Sequence, residues 1–250
     1  KNYGFSYAVN VGIKRSYTPY VILLNNDTVV DEHYVEEMVK SIVHKKNIFS
    51  VSSKMIQMYH PELIDSAGDL YTLVGWGGCR GVGRSVRNYT KKDRIFSACA
   101  GAAIYCRAVF EEIGYFDETH FAYLEDIDIG YRAQIHGYEN MYCPTALVYH
   151  VGSGTSGSKY NSFKVKLSSR NSVYLNYKNM PALLLLINAI PLLVGYGVKY
   201  MFFCRIGFGR DYREGIAEGL RTLSKCKKVG FRTRNIGNYL KIEWQLFVNT

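Results

Sequence analysis

Residues 20–24 form an unbroken apolar run that stops at three polar residues, Asn25, Asn26 and Asp27. A strand with one wet face alternates apolar and polar residues, whereas a continuous run must be covered on both faces. The run reads as a buried parallel strand ending at a ligand-facing edge, because open α/β sheets bind ligands beyond the carboxyl ends of their strands. Residues 31–46 then place Tyr34, Val35, Met38, Val39, Ile42 and Val43 at helical spacing, with acids in the first turn and Lys45 and Lys46 in the last. That is a scaffold helix oriented as its dipole prefers. The alternation recurs downstream. Residues 107–114 predict a short helix closed by Gly114. Residues 126–136, with Ile127, Ile129, Ala133 and Ile135, predict another helix, and 140–149 a strand ending at His150. The fold class is α/β, a mixed sheet flanked by helices.

Two stretches are less regular. Residues 49–106 read as short strands and glycine turns, and Gly75, Gly77, Gly78, Gly81 and Gly83 around Trp76 and Arg80 fit either a mobile loop or a plain hairpin. Residues 152–157 read as a flexible loop. With 250 residues, 48% of them hydrophobic, the chain buries a sizeable core and is not a disordered protein. Six cysteines without CxxC or zinc-finger spacing read as reduced packing residues in a cytosolic setting.

The net charge of +10 is unevenly spread. Residues 1–158 hold 15 Lys and Arg against 17 Asp and Glu, while residues 159–250 hold 16 against 4. This divides the chain into a catalytic body at 1–158 and a basic, apolar helical region at 159–250 that faces phosphates. Residues 163–178, 181–204 and 211–225 read as its helices. The segment 181–204 is about long enough to span a bilayer at ~20 residues, yet Asn188 and Pro191 interrupt it. A spanning helix and a kinked helix lying in the interface both fit, the second favoured by Tyr196, Lys199, Tyr200, Arg205, Arg210 and Arg213. Lys225, Lys227, Lys228, Arg232 and Arg234 near Phe231 and Tyr239 would suit nucleic acid, but no recognised nucleic-acid motif accompanies them, so the partner expected is a membrane surface and not nucleic acid.

Three carboxylates, Glu125, Asp126 and Asp128, open the 126–136 helix beside Tyr115, Phe116, Phe121 and Tyr123, where a sugar can stack. Crowded like charges raise one pKa and suit a proton acceptor; a solvated acidic helix start would place the same residues there. Asn25, Asn26, Asp27 and Thr28 likewise serve as a turn and helix cap in any protein.

Taken in order, Asn25-Asn26-Asp27, the acids at 125–128 and His150 resemble the family 2 glycosyltransferases, inverting enzymes with a nucleotide-sugar-binding fold of the GT-A type. The resemblance runs from Asn2 to about Gly157. It implies single-sugar transfer, rhamnosyltransferase-like, since Gly137-Tyr138-Glu139-Asn140 replaces the QxxRW pattern of processive synthases. Asp126 would be the base with Glu125 adjacent, and Asp27 and His150 would hold Mg²⁺ or Mn²⁺. Asn2, Gly4, Phe5, Asn10, Asn25, Cys99, Ala100, Gly101, Ala102, Tyr123, Asp128 and Arg132 would contact donor or acceptor, Arg132 by supporting the site through an ion pair. The partners implied are a nucleotide-sugar donor and a glycan or lipid-linked saccharide acceptor in cell-surface polysaccharide synthesis, met at the cytoplasmic face of the membrane. It further implies a βαβ portion ahead of Lys1, so that part of the N-terminal half is lacking here. A polyprenyl-phosphate sugar transferase and a non-catalytic carbohydrate- or membrane-binding remnant are the other readings.

Overall fold

The computed structural model describes residues 1–152 and 160–250. All of the expected 152–157 loop except Gly152, and the 158/159 boundary, lie outside the described residues. The chain begins with α1 (Phe5–Arg15), β1 (Tyr20–Leu24), β2 (Thr28–Val30), α2 (Tyr34–Ile42), β3 (Ile48–Gln57) and β4 (His60–Ser66). A hairpin of β5 (Asp69–Tyr71) and β6 (Gly77–Cys79) follows, then β7 (Asp93–Ile95), β8 (Ala102–Cys106), α3 (Arg107–Ile113), α4 (Glu125–Ile135) and β9 (Glu139–His150). The remainder is helical: α5 (Ser162–Asn179), α6 (Ala182–Ile187), α7 (Ala189–Arg205), α8 (Gly209–Arg221) and α9 (Ile236–Val248).

The central sheet runs β1-β8-β3-β9-β2, with β4 added to β3 and β7 to β9. Only β3 and β9 are parallel, Ile48 lying opposite Glu139 and Gln57 opposite His150. The strand at 20–24, expected to be parallel, is antiparallel to β8, with Leu24 opposite Ala102. An apolar run reports cover on both faces and not direction: Tyr20 and Ile22 pack on one side of the sheet and Val21 and Leu23 on the other.

Tyr34, Met38 and Ile42 of α2 cover one face, against Val51, Met55, Ile104 and Val148. On the other face Ile13 of α1, Val109, Phe110 and Ile113 of α3, and Ile129 and Ala133 of α4 meet Phe49, Tyr105 and Tyr142. Helix α4 then turns its opposite side, Ile127, Tyr131 and Ile135, to Leu175 of α5, Leu192 of α7 and Tyr239, Ile242 and Leu246 of α9. It is a middle layer, which is why nearly all of its residues are buried. Gly130 permits this, since a Cβ there would lie 2.3 Å from that of Ser97.

The glycine-rich stretch is a hairpin, Asp69 opposite Cys79 and Tyr71 opposite Gly77, and Trp76 at its tip donates Nε1–H to Gly195 O on α7 at 3.1 Å. The apolar segment at 181–204 does not span as one helix. It breaks at Asn188 (φ −87°, ψ 4°), whose side chain donates to Glu243 of α9 at 2.8 Å, and among the described residues no helix is long and apolar enough to cross a membrane.

Candidate active site

Where β1 ends, Asn25, Asn26 and Asp27 turn the chain into β2, which lies beside the end of β9 with Thr28 opposite His150. Thr28 Oγ1 donates to Asn25 O at 2.6 Å, and Val151 N–H donates to Asp27 O at 3.1 Å. The turn so fixed puts His150 Nε2 3.2 Å from Asp27 Oδ1, while Nδ1 lies 2.8 Å from Asp65 Oδ2 on β4. The hydrogen bond to Asp65 holds the imidazole above its ordinary pKa; burial opposes this, and the charges of Asp65 and Asp27 add to it. With Nδ1–H donated to Asp65, Nε2 is the ring nitrogen that faces the Asp27 carboxylate, and it donates to that carboxylate while the imidazole is protonated. Adjacent octahedral ligands about 2.1 Å from an ion stand about 3.0 Å apart. The Asp27–His150 pair therefore fits a small hard dication.

The second cluster sits at the start of α4. Asp126 Oδ1 accepts the Ile127 N–H at 2.8 Å, and the carboxylate also takes the Ala100 N–H. It shares a hydrogen bond with Asp69 of β5. Burial raises Asp126; burial and then the Asp126 charge push Asp69 well up, so the shared proton rests on Asp69. Cys99 completes the group, the three ligating atoms lying within 4.8 Å of one another. Its thiol is pushed up by a hydrogen bond to Cys79 and then by burial. A thiol is a soft ligand and a poor match for Mg²⁺ or Mn²⁺, so this group suits those ions less than the Asp27–His150 pair does. Glu125 is pushed up to about 8 by burial and then by Asp126, and its Oε2 has no hydrogen-bond partner among the described residues. The turn at 99–101 joins the clusters: Ala100 serves Asp126, and Gly101 O accepts the Asn25 N–H at 2.8 Å. A Cβ on Gly101 would crowd Asn25 Nδ2 at 3.1 Å.

The backbone before the acids is strained. Phe121, Tyr123 and Leu124 have φ of 63°, 69° and 66°, a region side chains larger than glycine rarely occupy, at a cost of about 1–3 kcal/mol each. Helix α5 holds them there. Asn171 Nδ2 faces the carbonyls of His120, Ala122 and Tyr123 at 2.9, 2.8 and 2.8 Å, and Arg170 donates to those of Thr119 and His120. From below, Gly4 (φ 91°) lets α1 approach so closely that a Cβ would lie 2.5 Å from Phe121 O.

Comparison with known proteins agrees with this arrangement. Residues 1–173 match the family described as "Glycosyltransferase like family 2". The chain belongs to that family. An N-acetylglucosaminyl-diphospho-decaprenol L-rhamnosyltransferase of Mycobacterium tuberculosis is 39% identical over 51 residues, 20% of this chain and 17% of that protein. A poly-beta-1,6-N-acetyl-D-glucosamine synthase of Staphylococcus aureus is 22% identical over 157 residues, 63% of this chain and 36% of that protein. The chain thus spans about a third or less of the curated relatives it matches. Among solved structures, GalNAc-T7 with UDP, GalNAc and Mn2+ superposes with a TM-score of 0.54 at 16% identity, covering 70% of this chain and 34% of that one. The fold is that of GT-A glycosyltransferases.

Within this family 2 chain, several residues expected at the ligand are structural. The Asn10 amide is consumed by the N–H and C=O of Phe116 and by Glu118. Phe5 packs edge-on against Phe116 at 6.4 Å, and Phe116 itself is buried in the core. Tyr115 stacks on Phe110 rather than beside the acids. Asn2 caps the Gly4 N–H at 2.9 Å. Ala102 is fully buried in β8. Asp128 is sealed from solvent among Arg132, Lys178 and Asn179 at 2.8–3.0 Å; burial works to raise its carboxyl, and the charges of Lys178 and Arg132 hold it far below the usual range instead. Arg132 spends its donors on Asp128 and the carbonyls of Ile113, Gly114 and Tyr115. Its ion pair with Asp128 is buried. Asn25, Cys99, Ala100, Gly101, Tyr123, Glu125, Asp126, Asp27 and His150 remain around the clusters. Sequence reasoning missed Asp65, Asp69, Asn171 and Lys178. The first two had a signal, acids set between the apolar and small residues of 63–70; the others lie in a helix with no polar face to single them out.

Proposed function

We propose that the chain carries out metal-dependent, inverting transfer of a single sugar from a nucleotide-sugar donor to a glycan or lipid-linked saccharide acceptor. The observation that carries this is the joining, in a family 2 chain, of a hydrogen-bonded Asp126 to an Asp27–His150 pair through the 99–101 turn.

The acceptor hydroxyl gives its proton to the Asp126 carboxylate as its oxygen attacks the anomeric carbon. The bond from that carbon to the departing diphosphate breaks on the opposite face, inverting the centre. Asp69 keeps its own proton and donates it as a hydrogen bond, which with the Ala100 N–H holds Asp126 ionised and aimed. Asp27 and His150 would hold Mg²⁺ or Mn²⁺, which would supply positive charge where the diphosphate leaves. Asp65 orients His150 by accepting its Nδ1–H, as carboxylates behind metal-bound histidines do.

The reading extends to the cytoplasmic face of a membrane. The outward faces of α6 and α7 carry Leu183, Leu186, Ile190 and Leu193, and that of α9 carries Leu240, Trp244 and Phe247, all more than 60% exposed. Arg205, Arg210 and Lys241 stand exposed on the same or neighbouring helices. Apolar stripes flanked by cations suit an anionic lipid surface.

Titration of UDP and dTDP with and without Mn²⁺ tests the donor half, with saturable, metal-dependent binding expected. Binding of neither diphosphate under either condition would overturn the reading.

A further inference from the structure

Behind the acid loop lies a cavity of about 470 Å³, walled by Trp76 and Gly77 of the hairpin, by Leu124, by the hydroxyl face of α5 at Ser168 and Ser172, and by α7. It borders the start of α4, because Leu124 lines it and immediately precedes Glu125, and a Cβ on Gly77 would strike Ile127 and Leu124. Its volume is that of a small-ligand site. Most of the wall is apolar, yet α7 places Lys199 in it.

The Lys199 ammonium lies 5.8 Å from the centre of the Trp76 ring, and among the described residues no carboxylate pairs with it. Burial alone lowers its amine to about 8. The lysine is only partly exposed, and a cation with no counter-charge in a largely apolar wall is one that an anionic ligand can pair with. Val198 and Phe202 line the cavity and are also 40% and 42% exposed, so it opens beside the apolar stripe of α7. One wall can hold a hydrocarbon chain entering from that stripe, and the lysine meets a phosphate at the inner end. Val198, Lys199 and Phe202 lie beyond the 1–173 family match.

We propose that this cavity is the acceptor's lipid-phosphate subsite, in which Lys199 pairs with a phosphate while Leu124, Val198 and Phe202 hold the first carbons of its apolar chain. The inference rests on the glycosyl-transfer reading and names the acceptor class for it.

The test is titration of farnesyl diphosphate, farnesol and inorganic diphosphate into the 250-residue chain and into Lys199→Met and Val198→Trp. Farnesyl diphosphate is expected to bind saturably and at least tenfold more tightly than either half-ligand. Lys199→Met should weaken it at least tenfold. Val198→Trp, which fills the cavity and leaves the lysine, should do the same, with UDP binding in Mn²⁺ unchanged in both variants. No saturable binding, or equal binding by parent and variants, overturns the subsite. Inorganic diphosphate binding as tightly as the farnesyl ester overturns its lipid part. Neither readout needs turnover, so farnesyl diphosphate binding by a chain that binds no nucleoside diphosphate supports the subsite while sinking the transfer reading.

Discussion

Asp126 and Asp128 sit two residues apart in the first turn of one helix, and the fold treats them oppositely. Asp128 points toward α5, where Lys178, Arg132 and Asn179 surround it and keep it charged. Asp126 points toward Asp69 and the 99–101 turn, where no cation among the described residues meets it, and burial raises its carboxyl. A carboxylate bonded to cations is held in place and unavailable, whereas one supported only by N–H donors and a neutral acid is free to take a proton. Position in a motif therefore does not assign a role; the neighbours do.

Four experiments can break or sharpen that contrast. Asp126→Asn is expected to lower the transfer rate by about 10³-fold, or roughly 4 kcal/mol, while moving stability by less than about 1 kcal/mol. Near-normal turnover in that variant would remove Asp126 as the base. Asp128→Ala should do the reverse, losing about 3–5 kcal/mol in urea unfolding because Arg132 is left buried without a counter-charge and Lys178 keeps only Asp117. If it unfolded like the parent, the network would be ornamental.

The pH dependence separates the two sides further. Glu125 is raised, so the folded state holds a proton that the unfolded chain loses near pH 4.5, and stability falls as pH climbs from there to about 8. The slope is at most about 1.4 kcal/mol per pH unit. Glu125→Gln should flatten this decline between pH 5 and 8. Asp128 is depressed, so its contribution is complete above the ordinary carboxylate range and fades only in strong acid. Parallel stability curves for the parent and Glu125→Gln would count against a buried, protonated Glu125. The smallest effect expected is from Asn171→Ala, about 2 kcal/mol of stability, with the turnover rate reduced more than UDP affinity. Equal losses in both would place Asn171 in donor binding instead.

Much of this was legible in the residues. Apolar spacing located α2, α3, α4 and β9, and the order of Asp27, Asp126 and His150 located the two clusters. Strand direction was not legible, because the 20–24 run is covered on both sides whichever way its neighbour points. Nor were the roles of Asn10, Asp128 and Arg132: each looked like a ligand residue, and each is spent on the protein's own carbonyls and carboxylates. Asp69 could be assigned only once β5 lay against α4. The apolar segment at 181–204 gave no sign of where Asn188 would find a partner, and Glu243, which supplies it, lies 55 residues on.

The three left-handed residues ahead of Glu125 are held by a helix about 50 positions later in the chain. The sheet, its two layers of helices and the Asp27–His150 pair can all be in place while that loop still follows its own backbone preference. The proposed base and the proposed donor edge therefore depend on different parts of the chain, and a chain cut before α5 would lose the contacts that hold the loop ahead of Glu125.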